Sequence, residues 1–327
     1  MSEFNIIKRY LDALSIDDSV VLGVGDDAAV LECPAGYQLV QTVDTMVKGV
    51  HFDDSFAPED LAHKLLHVNL SDIAAMGAQP KWATVALTLP SIEESWLARF
   101  SQYFHAHCQK YALNLVGGDT TQGSLSVTMN LTGIVKKGEF LTRHGAKAGD
   151  DIYVSGSLGD AALALSLVEC STALANQSEE LEYISSLVNR LKRPTARLTL
   201  GEKLYGAASS CIDLSDGLIA DLMHICEKSQ CGARLFVEKI PLSAVYQEHF
   251  ADSEIDLDFA LNGGDDYELC FTVDKSKNKY IQNLKSISSC DISLIGEIFS
   301  TETPAITTIL NGENYRCHRP GWEHFVE

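Results

Sequence analysis

The stretch Gly23–Val30, Gly-Val-Gly-Asp-Asp-Ala-Ala-Val, sets two glycines and two adjacent carboxylates between apolar residues. Glycine adopts the backbone angles of a sharp turn at little cost, and flanking apolar residues anchor such a turn to a core. Two like charges on a rigid turn repel each other, so a compensating divalent cation with oxygen ligands is expected. Taken alone, the stretch is more typical of a solvated surface turn. Its recurrence along the chain decides between the two interpretations.

The composition is that of a globular protein, with 327 residues, 46% hydrophobic and 21% charged. This length suits two domains of ordinary size, each with an ample core. The formal net charge of −20 argues against nucleic acid and against an anionic membrane as partners. A phosphate-bearing ligand would need metal ions between itself and so acidic a protein.

The cysteines and the hydropathy pattern predict a cytoplasmic protein. Nine cysteines without a Cys-x-x-Cys spacing are typical of scattered core thiols in a reducing compartment. The sequence does not open with a signal-peptide pattern, and no apolar run approaches the length of a membrane span.

Alternation and helical spacing predict strands interleaved with helices in both halves of the chain. The small, polar stretch Gly145–Asp151 predicts a domain boundary, so we expect two domains of α+β type, residues 1–145 and 146–327. The principal predicted strands are Tyr37–Thr45, Trp82–Leu89, Ser124–Val135, Ile152–Ser155 and Leu269–Val273, and the principal predicted helices are Pro58 to about Met76, Leu97–Tyr111 and one from Leu218.

Carboxylates recur in surroundings like those of the opening stretch. Gly117–Thr121 follows a predicted strand end, and Asp213–Gly217 follows another, with Ser215 or Asp216 as the expected N-cap of the next helix. All-oxygen ligands without clustered His or Cys suit Mg²⁺ or Mn²⁺ rather than zinc. Six carboxylates are predicted at strand ends, at helix starts or on a helix face, where ligands are commonly held: Asp27, Asp44, Asp72, Asp119, Asp213 and Asp216.

Other phosphate-binding and nucleophile motifs are absent from the sequence. It has no Gly-x-x-x-x-Gly-Lys-[Ser/Thr] loop, no protein-kinase signature set and no Gly-x-Ser-x-Gly elbow. Arg143 is a cation near the predicted boundary, and it suits a phosphate contact as well as an ordinary surface position.

Seven motifs in order resemble those of the thiamine-monophosphate kinases. The resemblance runs from about Phe4 to Phe325, and each motif alone is weak while the ordered set is highly specific. The motifs are Gly-Val-Gly-Asp-Asp-Ala-Ala, Val-Asp-Thr, Asn-Leu-Ser-Asp-Ile-Ala-Ala-Met-Gly, Val-Gly-Gly-Asp-Thr-Thr, Leu-Thr-Arg-His-Gly-Ala, Ile-Asp-Leu-Ser-Asp-Gly-Leu and Gly-Gly-Asp-Asp-Tyr-Glu-Leu-Cys-Phe.

The resemblance implies a two-domain, aminoimidazole ribonucleotide synthetase-like fold of the α+β class. It implies that N-terminal domains bind metal and ATP and pair into the barrel-like core of a homodimer, each with an α/β C-terminal domain packed on it. It further implies transfer of the γ-phosphoryl group of ATP to thiamine monophosphate, giving thiamine diphosphate and ADP. Because the acceptor is itself a phosphate, no general base is needed, and a direct in-line transfer on carboxylate-held Mg²⁺ is expected.

The resemblance also assigns roles residue by residue. The family usually has Glu where this chain has Asp265, which changes one expected substrate contact. Turnover is expected to depend above all on Asp27, Asp72 and Asp119. The implied Mg²⁺ ligands are Asp27, Thr42, Val43 through its carbonyl, Asp44, Asp72, Asp119, Asp213 and Asp216; the implied ATP contacts are Gly118, Asp119, Arg143 and Ser215; and the implied contacts to thiamine monophosphate are His51, Asp265 and Trp322.

Two other functions fit parts of the pattern. An ATP-dependent synthetase of the same superfamily would need a catalytic Cys or Lys in a glycine-rich segment before Phe4, and the sequence has none there. A metal-buffering or scaffold protein would bind metal without any dependence on nucleotide.

Overall fold

The computed structural model describes residues 17–25, 27–171, 180–288 and 290–317, with only the backbone described for 169–171 and 180–183. The chain divides into two compact units, one formed by residues up to 73 with 78–140 and the other by 74–77 with 141 onward. Each unit combines helices with a β-sheet, so the predicted α+β class is confirmed. No helix in the described ranges is both long and apolar enough to cross a membrane.

The first unit contains a two-stranded ribbon and a four-stranded sheet. The ribbon pairs β1 with β2, and the sheet has the order β3-β6-β4-β5, antiparallel except between β4 and β5. The bounds are β1 (Val20–Leu22), β2 (Val30–Leu31), β3 (Tyr37–Val47), α1 (Pro58–Ala75), β4 (Gln79–Leu89), α2 (Glu94–Lys110), β5 (Asn114–Gln122) and β6 (Ser126–Lys136).

Helix α1 begins and ends where its sequence predicts. Pro58 takes the first position, where its missing N–H is no loss, and Glu59 and Asp60 complement the helix dipole in the first turn. The helix ends at Ala75, and Gly77 follows with φ of +67°, a conformation that glycine adopts without strain.

Helix α1 lies on one face of the four-stranded sheet. A Cβ on Gly133 of β6 would lie 3.1 Å from Cδ1 of Ile73, so glycine lets this helix approach the strand closely. Thr42 and Asp44 share that face of β3, because their partners on β6 are Leu131 and Met129, which are fully buried. The opposite face of β3 carries exposed apolar side chains, with Leu39 58% and Val43 59% exposed.

The second unit is built on a seven-stranded sheet of order β13-β12-β9-β11-β7-β10-β8. Every pairing is antiparallel except that of β12 with β9. The bounds are β7 (Asp151–Ser155), α3 (Asp160–Ser171), α4 (Glu180–Lys192), α5 (Leu198–Leu204), β8 (Ala208–Asp213), α6 (Leu218–Ser229), β9 (Gly232–Phe236), α7 (Ala244–His249), α8 (Asp258–Asn262), β10 (Leu269–Val273), α9 (Asn278–Lys285), β11 (Ile292–Phe299), β12 (Ala305–Leu310) and β13 (Glu313–Asn314).

Both faces of this sheet are covered, which explains why its central strands are apolar throughout. On β7, Ile152 and Val154 join one core cluster together with α6, while Tyr153 joins a second cluster with α5 and α9. Strand β10 divides in the same way, because Cys270 enters the first cluster and Phe271 the second. The loops at one end of the sheet are therefore supported on a rigid, doubly covered base.

Candidate active site

Three of the predicted metal ligands in the first unit lie together between β3 and α1. Thr42 Oγ1 donates a hydrogen bond to Asp72 Oδ2 across 30 residues of sequence. Burial, and next the negative charge of Asp72, raise the pKa of Asp44 to about 7. The raised pKa reflects two carboxyl groups placed close together on the half-buried side of the sheet.

Two of the predicted positions were wrong in their local setting. Asp44 was predicted at the end of its strand, but β3 continues to Val47; Asp119 was also predicted at a strand end, but it lies within β5, paired with Ala86 of β4. The Gly-Gly-Asp-Thr-Thr stretch continues the strand, because β4 offers it a full ladder of main-chain partners. Tertiary pairing thus overrides the turn preference of the two glycines.

Gly118 has a structural role that the sequence did not reveal. A Cβ at this position would lie 2.0 Å from the carbonyl oxygen of Val85, its pairing partner on β4. Glycine is therefore needed for the two strands to pair at all. The neighbouring Asp119 is exposed.

The remaining predicted residues of this unit lie on connecting segments. Asp27 is exposed in the bend between β1 and β2, while Asp26 lies outside the described residues. His51 is half-buried, and its Nδ1 accepts the main-chain N–H of Val47 at 3.1 Å. That bond makes Nε2 the protonated nitrogen of the neutral ring.

The oxygen donors of this unit fit Mg²⁺. Thr42, Asp44 and Asp72 offer hydroxyl and carboxylate oxygens, which are the hard ligands that this ion prefers. Within the described ranges, no three His, Cys, Asp or Glu side chains lie close enough to hold a metal ion by themselves. Main-chain carbonyls, water and nucleotide phosphates are the usual completing ligands of Mg²⁺.

In the second unit, the predicted ATP contact Arg143 lies on a segment fixed by one hydroxyl group. Ser229 Oγ accepts the main-chain N–H groups of Gly145 and Ala146 at 3.1 and 3.2 Å and donates to the carbonyl of Arg143 at 3.3 Å. The Arg143 side chain is exposed at the start of this segment. The main chain beneath the guanidinium is therefore held in place.

The loop after β8 is organised by Asp221, a residue that the sequence reasoning missed. Asp213 is buried at the strand end, and Ser215 and Asp216 follow half-buried. Asp221 Oδ2 accepts three successive main-chain N–H groups, those of Ser215 at 2.9 Å, Asp216 at 3.1 Å and Gly217 at 3.2 Å. Burial raises the pKa of Asp221 to about 7.

This arrangement corrects the prediction that Ser215 or Asp216 caps helix α6. The N-cap is Gly217, with φ of +117°, and its main-chain N–H donates to Asp221, which lies in the first turn of the helix. The side chains of Ser215 and Asp216 are therefore not used to cap the helix. A carboxylate in the first turn of a helix, four residues after a glycine, was the signal in the sequence.

The segment from Gly263 to Glu268 lies directly against this loop. Asp265 N–H donates to the Ser215 carbonyl at 2.9 Å, and Tyr267 N–H donates to the Leu214 carbonyl at 2.8 Å. Asp265 and Tyr267 both have positive φ, +69° and +50°, which is uncommon for side chains of this kind. The Tyr267 hydroxyl donates to Asp265 Oδ1 at 3.0 Å, and so orients the predicted substrate carboxylate.

The other face of this segment is anchored by two buried carboxyl groups. Asp266 accepts the Gly159 N–H with both oxygens, at 2.9 and 3.0 Å, and burial raises its pKa well above the usual range. Glu268 is completely buried and accepts from Ser155 Oγ at 2.5 Å. Two arginines also donate to Glu268.

Those arginines, Arg190 and Arg197, were not anticipated from the sequence. Arg197 donates to both oxygens of Glu268, the Nε–Oε2 distance being 2.6 Å, and Arg190 Nη2 donates to Oε1 at 3.1 Å. A carboxylate inside an apolar run, as at Glu268, was the available signal. The predicted substrate residue Trp322 lies outside the described residues.

Comparison with known proteins places this fold among the AIR synthase related proteins. The family model for the N-terminal domain of these proteins matches residues 25–135, and the model for the C-terminal domain matches residues 147–307. This is the class of two-domain protein that the described units define.

Comparison with individual relatives identifies the family within this class. The chain is 46% identical to the thiamine-monophosphate kinase of Haemophilus influenzae over 274 residues, 84% of this chain and 82% of that one. The crystal structure of the thiamine-monophosphate kinase from Stenotrophomonas maltophilia matches with a TM-score of 0.83 and 40% identity, over 95% of this chain and 96% of that one. A structure of AaThiL complexed with AMPPCP and TMP matches with a TM-score of 0.76 and 30% identity, over 98% and 96%. The chain therefore belongs to the thiamine-monophosphate kinase family of enzymes.

We expect Asp221→Ala to impair the Asp213–Gly217 loop much more than Asp221→Asn does. The alanine variant leaves three N–H groups, one buried and two partly buried, without their acceptor, at a cost of about 1–3 kcal/mol in the free energy of unfolding. The asparagine variant keeps one carbonyl oxygen in place as acceptor. Denaturant unfolding and KM for ATP should both order wild type, Asn and Ala; an alanine variant with wild-type values would contradict the positioning role.

Proposed function

We propose that this protein transfers the γ-phosphoryl group of ATP to thiamine monophosphate, forming thiamine diphosphate. The observation that carries the proposal is the match, over 98% of this chain, to a family member solved with AMPPCP and TMP. The identity of 46% to a thiamine-monophosphate kinase supports the same substrate pair. Thiamine monophosphate and ATP are thus the proposed ligands, and a cytoplasmic location accords with them.

We further propose that Mg²⁺ links the acidic protein to its phosphates. The side chains that would hold it include Thr42, Asp44 and Asp72, which supply only oxygen donors. The proposed set is completed by Asp27, the Val43 carbonyl, Asp119, Asp213 and Asp216. Mg²⁺, when bound, neutralises charge that develops on the transferred phosphoryl group.

The chain's own residues would act by positioning. Gly118, Asp119, Arg143 and Ser215 are the proposed ATP contacts, and the Ser215 loop is held rigid by Asp221. The acceptor phosphate of thiamine monophosphate carries its own negative charge and needs no general base. Fixing the two phosphates in line is then the principal task of the site.

A product assay with matched variants tests the proposal. Purified protein with ATP, Mg²⁺ and thiamine monophosphate should yield thiamine diphosphate, as measured by chromatography. We expect Asp72→Asn to lower kcat by orders of magnitude, because it removes a charge that the phosphoryl transfer needs. Asp54→Asn is the control, since Asp54 is an exposed carboxylate of the same unit that forms an ion pair with Lys48.

Two results separate the alternatives in this assay. If wild-type protein yields no thiamine diphosphate, the proposed activity is wrong. If Asp72→Asn retains full activity while wild type is active, the activity stands and the assignment of the metal site is wrong.

The transfer should proceed directly, without a phosphorylated enzyme. The acceptor phosphate of thiamine monophosphate can itself attack the γ-phosphorus, so no nucleophilic side chain of the protein is needed. A chiral γ-thiophosphate of ATP should therefore give inverted configuration in the product. Retention of configuration would indicate a covalent intermediate and contradict direct transfer.

At the substrate end, Asp265 and Tyr267 are proposed to act as a pair. Tyr267→Phe removes the hydroxyl that donates to Asp265 Oδ1, and Asp265→Ala removes the carboxylate proposed to meet thiamine monophosphate. Both variants should raise KM for thiamine monophosphate much more than KM for ATP, with Asp265→Ala having the larger effect. The other two proposed contacts to thiamine monophosphate are His51 and Trp322, of which Trp322 lies in the tail beyond the described residues.

The control for this pair is Tyr280→Phe, which removes an exposed hydroxyl hydrogen bond to the Lys203 carbonyl in the same unit. It should leave both KM values unchanged. Equal increases in both KM values for Tyr267→Phe would indicate a general distortion and contradict a specific substrate role.

A homodimer built through the N-terminal domains also belongs to the proposal. It is supported by the exposed apolar side chains of β3, including Leu39 and Val43, on the sheet face opposite α1. We propose the two domains that the sequence predicted. Residues 1–145 would bind metal and ATP and form the dimer contact, and residues 146–327 would form the C-terminal domain.

A further inference from the structure

A cavity of about 670 Å³ lies in the second unit, lined in part by the arginines that bind Glu268. It lies where β7 ends and β11 begins, and its walls include Gly156, Ser157, Asp160, residues 241–245 and the start of β11. This volume is typical of sites for small organic molecules, which span roughly 300–1,000 Å³. No predicted contact to metal, ATP or substrate among the described residues lines it.

Three cationic side chains line this cavity, in a chain with 25 basic and 45 acidic residues. Arg190 comes from α4, Arg197 from the segment before α5, and Lys285 from the end of α9. The arginine side chains are largely withdrawn from solvent, with 25% and 12% of their surface exposed. Lys285 is exposed at the rim.

The two guanidinium groups offer more donors than the protein accepts. Each guanidinium carries five N–H donors. In the part of the chain that the structure describes, Arg197 donates through Nε and Nη2, and Arg190 donates through Nη2 alone. The remaining N–H groups of both side chains have no protein acceptor there.

Two of the neighbouring carboxyl groups are already engaged, and a third, that of Asp291, lines the cavity in an exposed position. Both oxygens of Glu268 are occupied by the two arginines and Ser155. Asp160 accepts from Ser243 Oγ at 2.7 Å and Ser157 Oγ at 3.3 Å, and its Oδ2 lies 3.8 Å from Arg190 Nε, beyond hydrogen-bond distance. The surplus in this cavity is therefore one of donors, and a ligand that complements it must bring acceptors.

Glu268 also makes the arginines rigid. The paired hydrogen bonds fix the plane of the Arg197 guanidinium, and Arg190 is bound to the same carboxylate. A structural ion pair for Glu268 alone would be complete with Arg197, which engages both of its oxygens. Arg190, which is also paired with Asp160, and Lys285 add positive charge to the cavity wall, and pre-organised charge of this kind lowers the cost of binding an anion.

Part of the cavity wall is apolar. Leu187, Leu242, Val245 and Ile292 form this apolar wall, and they offer a contact surface for a hydrocarbon or heterocyclic group. The cavity thus combines cationic and apolar side chains, and it is larger than an inorganic anion requires.

We propose that this cavity is a binding site for a small phosphorylated organic molecule, with its phosphate on Arg190, Arg197 and Lys285 and its organic part on the apolar wall. A phosphate monoester presents three acceptor oxygens and about two negative charges, so it meets donors arriving from several directions. A carboxylate presents two oxygens in one plane and one charge. The proposal is independent of the proposed kinase reaction, because none of the described residues assigned to that reaction takes part.

Calorimetric titration of the full chain with phenyl phosphate tests the proposal. We expect saturable binding to wild type, weakened about tenfold or more by Arg190→Gln, since a charge-assisted hydrogen bond contributes about 1.5–3 kcal/mol. Lys285→Gln should weaken binding as well, and its exposed position keeps it outside the Glu268 network. Arg143→Gln should leave binding unchanged, which separates this cavity from the proposed ATP site.

Matched controls distinguish loss of the binding site from loss of the folded structure. Arg234→Gln breaks a comparable arginine–glutamate pair, Arg234 Nη1 to Glu297 Oε1 at 2.7 Å, outside the cavity, and should bind as wild type does. Melting temperatures show whether Arg190→Gln remains folded, and Lys285→Gln provides the test if it does not. Benzoate should bind more weakly than phenyl phosphate.

Three results would overturn the proposal. The first is an absence of phenyl phosphate binding to wild type at millimolar concentration. The second is binding that Lys285→Gln and a folded Arg190→Gln leave unaltered, or that Arg143→Gln abolishes. The third is equal affinity for benzoate, which would replace the phosphate by a carboxylate as the group recognised.

Discussion

A buried carboxylate, Glu268, is the contact on which the loop end of the seven-stranded sheet depends. It has no exposed surface, and Ser155 and two arginines satisfy it from three different segments. Removing one partner of a buried ion pair costs about 3–5 kcal/mol, because the remaining charge stays desolvated. Position 156 must be glycine because a Cβ there would lie 2.1 Å from a side-chain oxygen of Glu268. The main-chain carbonyl of Glu268 meanwhile accepts the Leu214 N–H at 2.8 Å, so the main chain at Glu268 is also bonded to the loop after β8.

The two strained residues of the segment from Gly263 to Glu268 keep their conformation because hydrogen bonds hold this segment on both sides. Asp265 and Tyr267 each have positive φ, and such conformations cost of order 1–3 kcal/mol in non-glycine residues. Each has its N–H bonded to the loop after β8, while Asp266 and Glu268 hold the other side. Successive residues thus make different contacts, because the main-chain N–H of Asp265 bonds to Ser215 while the Asp266 carboxylate accepts from Gly159. A segment fixed on both sides gives the carboxylate of Asp265, the proposed substrate contact, a defined place without help from a ligand.

Much of the fold was readable from the sequence, and the failures have a common physical cause. Pro58, its acidic neighbours and Gly77 delimit helix α1 through local chemistry, and local chemistry was sufficient there. The Gly-Gly-Asp stretch at Asp119 was read as a strand end, yet β4 continues to pair with it, and only the tertiary fold supplies that partner. The anchoring residues were missed for the same reason, since Ser155 lies 113 residues from Glu268 and Arg197 lies 71 residues from it. The ordered motifs include Glu268, but its hydrogen-bond partners Ser155, Arg190 and Arg197 lie outside them.

Two internal carboxylates of the second unit show why net charge is a poor guide to anion binding. Asp221 saturates the three N–H groups that converge on it, so that this concave turn is closed to any external anion. Glu268 is saturated as well, but its donors are not, because one carboxylate accepts only part of what two guanidiniums offer. Hydrogen-bond donors are therefore matched by acceptors around Asp221 but exceed them around Glu268, although both residues lie in a chain of net charge −20. In such a protein an oxyanion can be held where a cation intervenes, as proposed at Asp44 and Asp72, or where arginine donors exceed their carboxylate partners, as proposed for the cavity lined by Arg190 and Arg197.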